Sequence, residues 1–256
     1  MPAWDPTQYA RYSDERSRPF FDLTDRIHSL QPSYVVDLGC GSGELTATLA
    51  DRWPGARVDG VDSSPAMLEK AAPFADRVRF SQGDIPTWTP DSPIDVLVSN
   101  AALQWVDGHI QLLPRFIDFL SSDGILAFQV PGNFEFPSHV LLRDLRRSSR
   151  WKALLGEDAV RLGSHEPAEY LDVLAGAGCQ VDIWETTYLH VLQGPDAVLE
   201  WVKGTALRPV LSLLDEGQSA EFLAEYGAAL RQEYPQRDYG TVFPFRRIFA
   251  IARRSA

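Results

Sequence analysis

Gly39, Gly41 and Gly43 stand two residues apart, directly after the run Tyr34-Val35-Val36-Asp37-Leu38 and directly before a helical pattern. A β-branched apolar run stopped by glycine reads as a buried strand. Glycines at alternate positions after it make a tight turn in which a ligand lies against bare backbone. The spacing narrows the choice of ligand. The pyrophosphate-binding form G-x-G-x-x-G needs glycine or alanine at position 44, which here is Glu44. A carboxylate at a helix N-terminus repels a phosphate. The turn therefore reads as the seat of a nucleotide-like ligand without phosphates, and S-adenosylmethionine is the common one.

A chain of 256 residues, 45% hydrophobic and 11% aromatic, has enough apolar surface for a full core. It fits one α/β domain with insertions or a small lid. The net charge of −11 opposes a nucleic-acid surface. A small anion held by a few arginines stays possible. Cys40 and Cys179 have neither C-x-x-C nor histidine-rich spacing, so no metal site and no disulfide framework is expected. No signal-like segment opens the chain, and no apolar run approaches ~18 residues. The expectation is a soluble cytoplasmic protein with no nucleic-acid or membrane partner and no obligatory protein partner.

Strand-like and helical runs alternate. A helix opens at Ser17-Arg18-Pro19 with Phe20, Leu23, Ile27 and Leu30 as its stripe. Strands are expected at 34–38, 57–61, 78–81, 94–99 and 124–130, with helices at 44–53, 64–72 and 109–120 between them. This interleaving predicts a doubly wound, mostly parallel, Rossmann-like sheet. Further on, an Arg-rich helical stretch surrounds 141–155, with Arg143, Arg146, Arg147 and Arg150 read as one exposed face. A helix follows at 166–177, a long strand at 181–190, a mostly helical stretch at 195–235 and a last strand at 247–252. The segments 131–165 and 191–240 read as helical lid insertions within a single domain spanning 1–256.

Each expected parallel strand ends in residues suited to a nucleoside. Asp62 stands about twenty residues after Gly39, where a carboxylate meets ribose hydroxyls in dinucleotide-type folds. Asp84 beside Ile85 suits an adenine amine and ring. Asn100, Gln104 and Trp105 form a polar tip with an indole. The succession Asp37-Leu38-Gly39-Cys40-Gly41-Ser42-Gly43, Asp62-Ser63-Ser64-Pro65-Ala66-Met67 and Gly83-Asp84-Ile85 resembles the class I S-adenosylmethionine-dependent methyltransferases. Trp4-Asp5-Pro6, Glu15-Arg16-Ser17-Arg18-Pro19, Asn100-Ala101-Ala102-Leu103-Gln104-Trp105, the segment Cys179–Tyr188 and Leu207-Arg208-Pro209 are similar to the trans-aconitate 2-methyltransferase family, nearly from end to end.

The resemblance implies a seven-stranded sheet with an antiparallel last strand, S-adenosylmethionine as cofactor, and methylation of one carboxylate of a small tricarboxylate to its monomethyl ester. It places cofactor contacts at Asp37, Gly39, Gly41, Asp62, Ser63, Met67, Asp84, Ile85, Asn100, Gln104 and Trp105, with Tyr12 and Arg18 folding over the ligand. An ionised carboxylate is itself a nucleophile, so no catalytic base or triad is expected. Tyr188, His190, Arg208 and Arg247 are the candidates for holding the substrate. Of Arg246 and Arg247, alternation along a strand lets at most one point inward. Other readings stay open: another small carboxylate, a malonyl thioester or a phenol as acceptor, an NAD-dependent oxidoreductase, or a binding module without catalysis.

Overall fold

Short β-branched runs separated by helices can bury both faces only in a parallel sheet. In a computed structural model of the chain, which describes residues 13–28, 31–156 and 163–255, five such runs form β1 (Tyr34–Leu38), β2 (Arg57–Asp62), β3 (Arg79–Gln82), β4 (Ile94–Asn100) and β5 (Leu120–Pro131). All four pairings among them are parallel. With β6 (Cys179–Leu192) and β8 (Gly240–Arg254), the order across the sheet is β3-β2-β1-β4-β5-β8-β6. β8 runs antiparallel to β5, from Ile125↔Arg253 to Pro131↔Arg247. The expected seven strands are present, and a two-residue β7 (Gln236–Arg237) adds an eighth beside β8. The order reverses between β1 and β4. Such a switch point opens a crevice at the carboxyl ends of the strands.

The helices are α1 (Ser13–Thr24), α2 (Glu44–Arg52), α3 (Pro65–Ala71), α4 (His109–Asp118), α5 (Pro137–Arg147), α6 (Ser149–Leu155), α7 (Pro167–Gly176), α8 (Ala197–Lys203), α9 (Arg208–Leu211) and α10 (Glu216–Glu233). Two differ from the sequence reading in kind. α1 begins four residues before Ser17 and carries Pro19 in its interior; it stops at Thr24, whose hydroxyl donates to Phe20 O at 2.9 Å. Ile27 therefore lies past its end, and Leu30 falls outside the described residues. The Arg-rich stretch is broken at Ser148 (ψ 151°) into α5 and α6, so its arginines share no single face. Arg143 pairs with Glu135 at 2.7 Å, whereas Arg150 pairs with Glu221 and Glu225. β5 also starts earlier than expected, because a register shift lets Leu120 pair with Ile94 before Ile125 pairs with Val96.

The chain divides into two compact units, with breaks at Gly132/Asn133, Thr186/Thr187 and Arg246/Arg247. The first holds β1–β5 and a core that includes Val36, Leu97, Leu113, Phe116, Phe128 and Ile248. The second has an apolar core of its own around Trp151, Trp201, Phe222, Tyr226 and Phe243. It takes in most of the two expected insertions and extends past them to Thr187 and Arg246.

Phe128 is fully buried, with its ring 5.2 Å from Tyr170 in an edge-on contact. Phe128→Ala should cost about 3–5 kcal/mol. A urea titration checks this, with the midpoint falling and the slope unchanged.

Candidate active site

The glycine turn is built from three different constraints. Gly39 has φ +89°, and a Cβ there would sit 2.3 Å from Ala102 Cβ. Gly43 has φ +78°, and its Cβ would meet Phe80 at 2.6 Å. Gly41 has φ +56°, yet a Cβ there would meet no atom of the described residues within 4 Å. Two glycines thus pack the turn against its neighbours, while the middle one leaves open space on the ligand side. Val61 O accepts from the N–H groups of Gly39 (2.8 Å) and Cys40 (3.0 Å). Asp62 Oδ2 accepts from Gly41 N–H at 2.9 Å, and its Oδ1 accepts from Ser64 N–H at 2.8 Å. One carboxylate at the end of β2 therefore ties the turn after β1 to the start of α3. Ser64 caps that helix through backbone alone, without the side-chain bond its position suggests.

Asp37 lies beneath the turn, 2% exposed. Its Oδ2 accepts from the Thr46 hydroxyl at 2.6 Å, and its buried Oδ1 has no hydrogen-bond partner among the described residues. Burial pushes its carboxyl up to about 7; the Thr46 bond opposes this and the nearby Asp62 charge adds to it.

At the end of β4, Ser99 Oγ donates to Leu38 O at 2.8 Å and locks this strand to β1. Ala101 takes φ +52°, a left-handed conformation unusual for alanine, and its N–H donates to Gln129 O at 3.0 Å. Gln104 is 5% exposed; its Nε2 donates to Ala101 O at 2.5 Å, and its buried Oε1 has no partner among the described residues. Trp105 is 47% exposed, so its indole is a surface group and not core. Asn100 Oδ1 accepts from Gln129 Nε2 at 2.6 Å, and Gln129 Oε1 accepts from Arg247 at 3.3 Å. Arg247 is buried at 7% exposure, while the neighbouring Arg246 is half-buried, in keeping with strand alternation.

The remaining candidates fall as follows. Asp84 is exposed after β3, and its backbone O closes a turn with Trp88 N–H at 2.8 Å. Ile85 packs on the core, with Cδ1 3.8 Å from where a Gly39 Cβ would sit. Ser63 is exposed and its O accepts from Gln82 Nε2 at 3.2 Å, while Met67 is half-buried on α3. Arg18 lies on the exposed side of α1, 3.7 Å from Asp22. Tyr12 lies outside the described residues. In the second unit, Tyr188 (4% exposed) and His190 (8%) stack with centroids 6.1 Å apart, and His190 stacks on Trp201 at 4.8 Å. Arg208 opens the short α9 and is half-buried. A pocket of about 410 Å³ also lies in this unit, between Phe136, Pro137, Tyr234 and Pro244, and none of the candidate residues lines it.

Sequence reasoning missed Thr46, Phe80 and Gln129. Gln129 was the findable one, because a lone amide inside the apolar run Leu126–Val130 needs a partner.

The arrangement is an open glycine cradle with Asp37 beneath it and Asp62 bonded to it, and two buried acceptors unpartnered among the described residues. Such a donor-poor, acid-rich site fits a cationic nucleoside and repels a diphosphate. Fold and cradle together define a class I S-adenosylmethionine-dependent methyltransferase. A methyltransferase-domain family model matches residues 35–124. Trans-aconitate 2-methyltransferase of Streptomyces avermitilis is 53% identical, covering 100% of this chain and 98% of that protein. Its namesake in Streptomyces coelicolor is 52% identical over 99% of this chain and 87% of that one. Among solved structures, YcgJ of Bacillus subtilis aligns with a TM-score of 0.60 at 16% identity, covering 91% of this chain and 96% of that one, and shows the shared fold. The chain belongs to the trans-aconitate 2-methyltransferase family. No helix among the described residues is long and apolar enough to cross a membrane.

Asp62→Ala should remove two charged hydrogen bonds of roughly 1.5–3 kcal/mol each and free the N–H groups of Gly41 and Ser64. Calorimetry should show S-adenosylmethionine binding weakened at least tenfold, with the thermal midpoint lowered by several degrees and the unfolding still cooperative. For Asp37, the folded form holds its proton more tightly than the unfolded chain does. Its contribution to stability should therefore fall as pH rises from the ordinary carboxylate range to about 7, and stay low above that. Urea midpoints measured across that window should lose this slope in Asp37→Asn.

Proposed function

We propose that this chain transfers the methyl group of S-adenosylmethionine to one carboxylate of trans-aconitate, giving the monomethyl ester and S-adenosylhomocysteine. The observation that carries the reading is the acidic cradle open at Gly41, in a chain 53% identical over its full length to a trans-aconitate 2-methyltransferase. S-adenosylmethionine supplies a methyl group on a sulfonium when bound. The chain's own residues then have three tasks. Asp62 and Asn100 hold the sugar and the tip of the cofactor, and Asp37 offers its free oxygen to a cationic group. Arg247, Arg208, His190 and Tyr188 hold the substrate's other carboxylates; the planar fork of arginine suits a carboxylate better than lysine does. No base is needed, because an ionised carboxylate attacks as it is. In-line placement is the catalytic contribution, and positioning of this kind is worth ~7–11 kcal/mol.

Gln129 extends this reading. It bonds Asn100 on one side and Arg247 on the other, so it sets the position of a substrate-holding cation from the cofactor's strand tip. On this view the protein works in the cytoplasm on a small tricarboxylate without an obligatory protein partner.

Incubation with methyl-labelled S-adenosylmethionine and a panel of di- and tricarboxylic acids should give base-labile label with trans-aconitate above all others. Label on a phenol or a thioester instead would overturn the substrate. Arg208→Ala and His190→Phe should each raise KM for trans-aconitate at least tenfold while cofactor affinity stays near wild type. Phenylalanine at 190 preserves the ring stack with Trp201, so steady-state kinetics will report the lost polar contact and not a lost fold.

A further inference from the structure

The stretch after β4 adjoins the glycine cradle. A Cβ on Gly39 would sit 2.3 Å from Ala102 Cβ, and Ala102 O accepts from Trp105 N–H at 3.1 Å, closing a single tight turn over Leu103–Trp105. Two carbonyls of this stretch are held, directly or through side chains, by a segment distant in sequence, residues 163–170. Gln104 O accepts from Gly163 N–H at 3.4 Å. Val106 O lies 3.2 Å from His109 Nδ1, and His109 Nε2 lies 2.7 Å from the Tyr170 hydroxyl on α7. That hydroxyl accepts from His165 N–H at 3.1 Å.

The partners fix the direction of each bond. A carbonyl only accepts, so His109 Nδ1 carries the proton and donates to Val106 O; the bare Nε2 then accepts from the Tyr170 hydroxyl. Burial, opposed by the Val106 bond and aided by the His165 charge, lowers the basicity of His109, so the ring is neutral. Burial also raises Tyr170, which keeps its proton. The relay therefore runs one way, from His165 N–H through Tyr170 and His109 to Val106 O. Its outer end is fixed by Glu169, whose carboxylate accepts from Glu166 N–H at 2.9 Å and meets His165 Nδ1 at 3.2 Å. Both linking rings are enclosed, His109 at 3% and Tyr170 at 0% exposure, with centroids 5.8 Å apart. A phenylalanine would fill the same volume as Tyr170, so what the hydroxyl adds is the link.

We propose that Tyr170 and His109 are positioning residues for the cofactor, holding the turn Leu103–Trp105 beside the cradle in the geometry that receives S-adenosylmethionine. The inference rests on reading that turn as a cofactor contact, and it does not depend on which acid is methylated.

The test titrates S-adenosylmethionine calorimetrically into wild type, Tyr170→Phe, His109→Phe and His109→Gln, and follows amide hydrogen exchange at residues 105 and 106. Tyr170→Phe keeps the ring contacts with Phe128 and His109 and loses only the hydroxyl. It should bind S-adenosylmethionine about tenfold more weakly, and the two amides should exchange about tenfold faster while those of β1 do not change. His109→Phe should behave alike. His109→Gln should return both quantities to within about twofold of wild type, because its amide oxygen accepts the Tyr170 bond and a phenyl ring does not. A role in packing alone would spare Tyr170→Phe and make glutamine the worse substitute for His109. If His109→Phe does not fold, Tyr170→Phe and His109→Gln carry the comparison.

Unchanged affinity in Tyr170→Phe overturns the proposal, whether or not exchange quickens. Weaker binding without faster exchange overturns it as well, because the loss then arises away from the turn. Binding is read without an acceptor acid. A wild type that binds S-adenosylmethionine but methylates no carboxylate therefore sinks the proposed reaction, and the variants still decide the positioning role.

Discussion

The carboxylate of Asp62 is the contact on which the cradle depends. It accepts from Gly41 N–H on one side and Ser64 N–H on the other, so the ends of β1 and β2 are joined by a single charged group. Charge-assisted bonds of this sort are shorter and stronger than neutral ones. Gly39 can then sit against Ala102 and Gly43 against Phe80, closing the turn from both sides. What stays open is the space over Gly41. The cradle is thus an opening kept by packing around it.

Electrostatics and packing agree about what enters that opening. Asp62 binds its rim, and the buried Asp37 beneath it carries an oxygen with no partner among the described residues. Leaving a buried acceptor unsatisfied costs about 1–3 kcal/mol. Proteins tolerate such a cost at sites where a ligand later removes it. The same reasoning applies to Gln104 Oε1 at the tip of β4; Asn133 Oδ1 at the start of the second unit is a further such acceptor. Together they account for three of the unpartnered buried side-chain atoms among the described residues; Asp37 lies within β1, one residue before its end, and Gln104 and Asn133 follow the carboxyl ends of β4 and β5.

The proposed chemistry explains why the polar machinery is spare. A reaction whose nucleophile is already ionised asks the protein for placement and for exclusion of water, not for proton transfer. A buried amide such as Gln129, linking Asn100 to Arg247, serves placement well because neither of its bonds changes with pH. The aromatic stack of Tyr188, His190 and Trp201 likewise gives stiffness more than reactivity.

The sequence by itself determined the sheet, the position of the cradle and the class of ligand. Strand periodicity, glycine spacing and the acid at 44 are local properties, and local properties are legible along the chain. β1 was placed to the residue, whereas the antiparallel direction of β8 was expected only from the family resemblance, and the strand proved far longer than the six residues expected. Tertiary structure decided what distant residues do to one another. The bridge from Asn100 through Gln129 to Arg247 spans well over a hundred residues. The break at Ser148, the proline carried inside α1 and the separate core of the second unit likewise follow from contacts and backbone bonds that no periodicity records. Hydrogen-bond partnership depends on which side chains meet after folding, and a linear pattern specifies faces but not meetings.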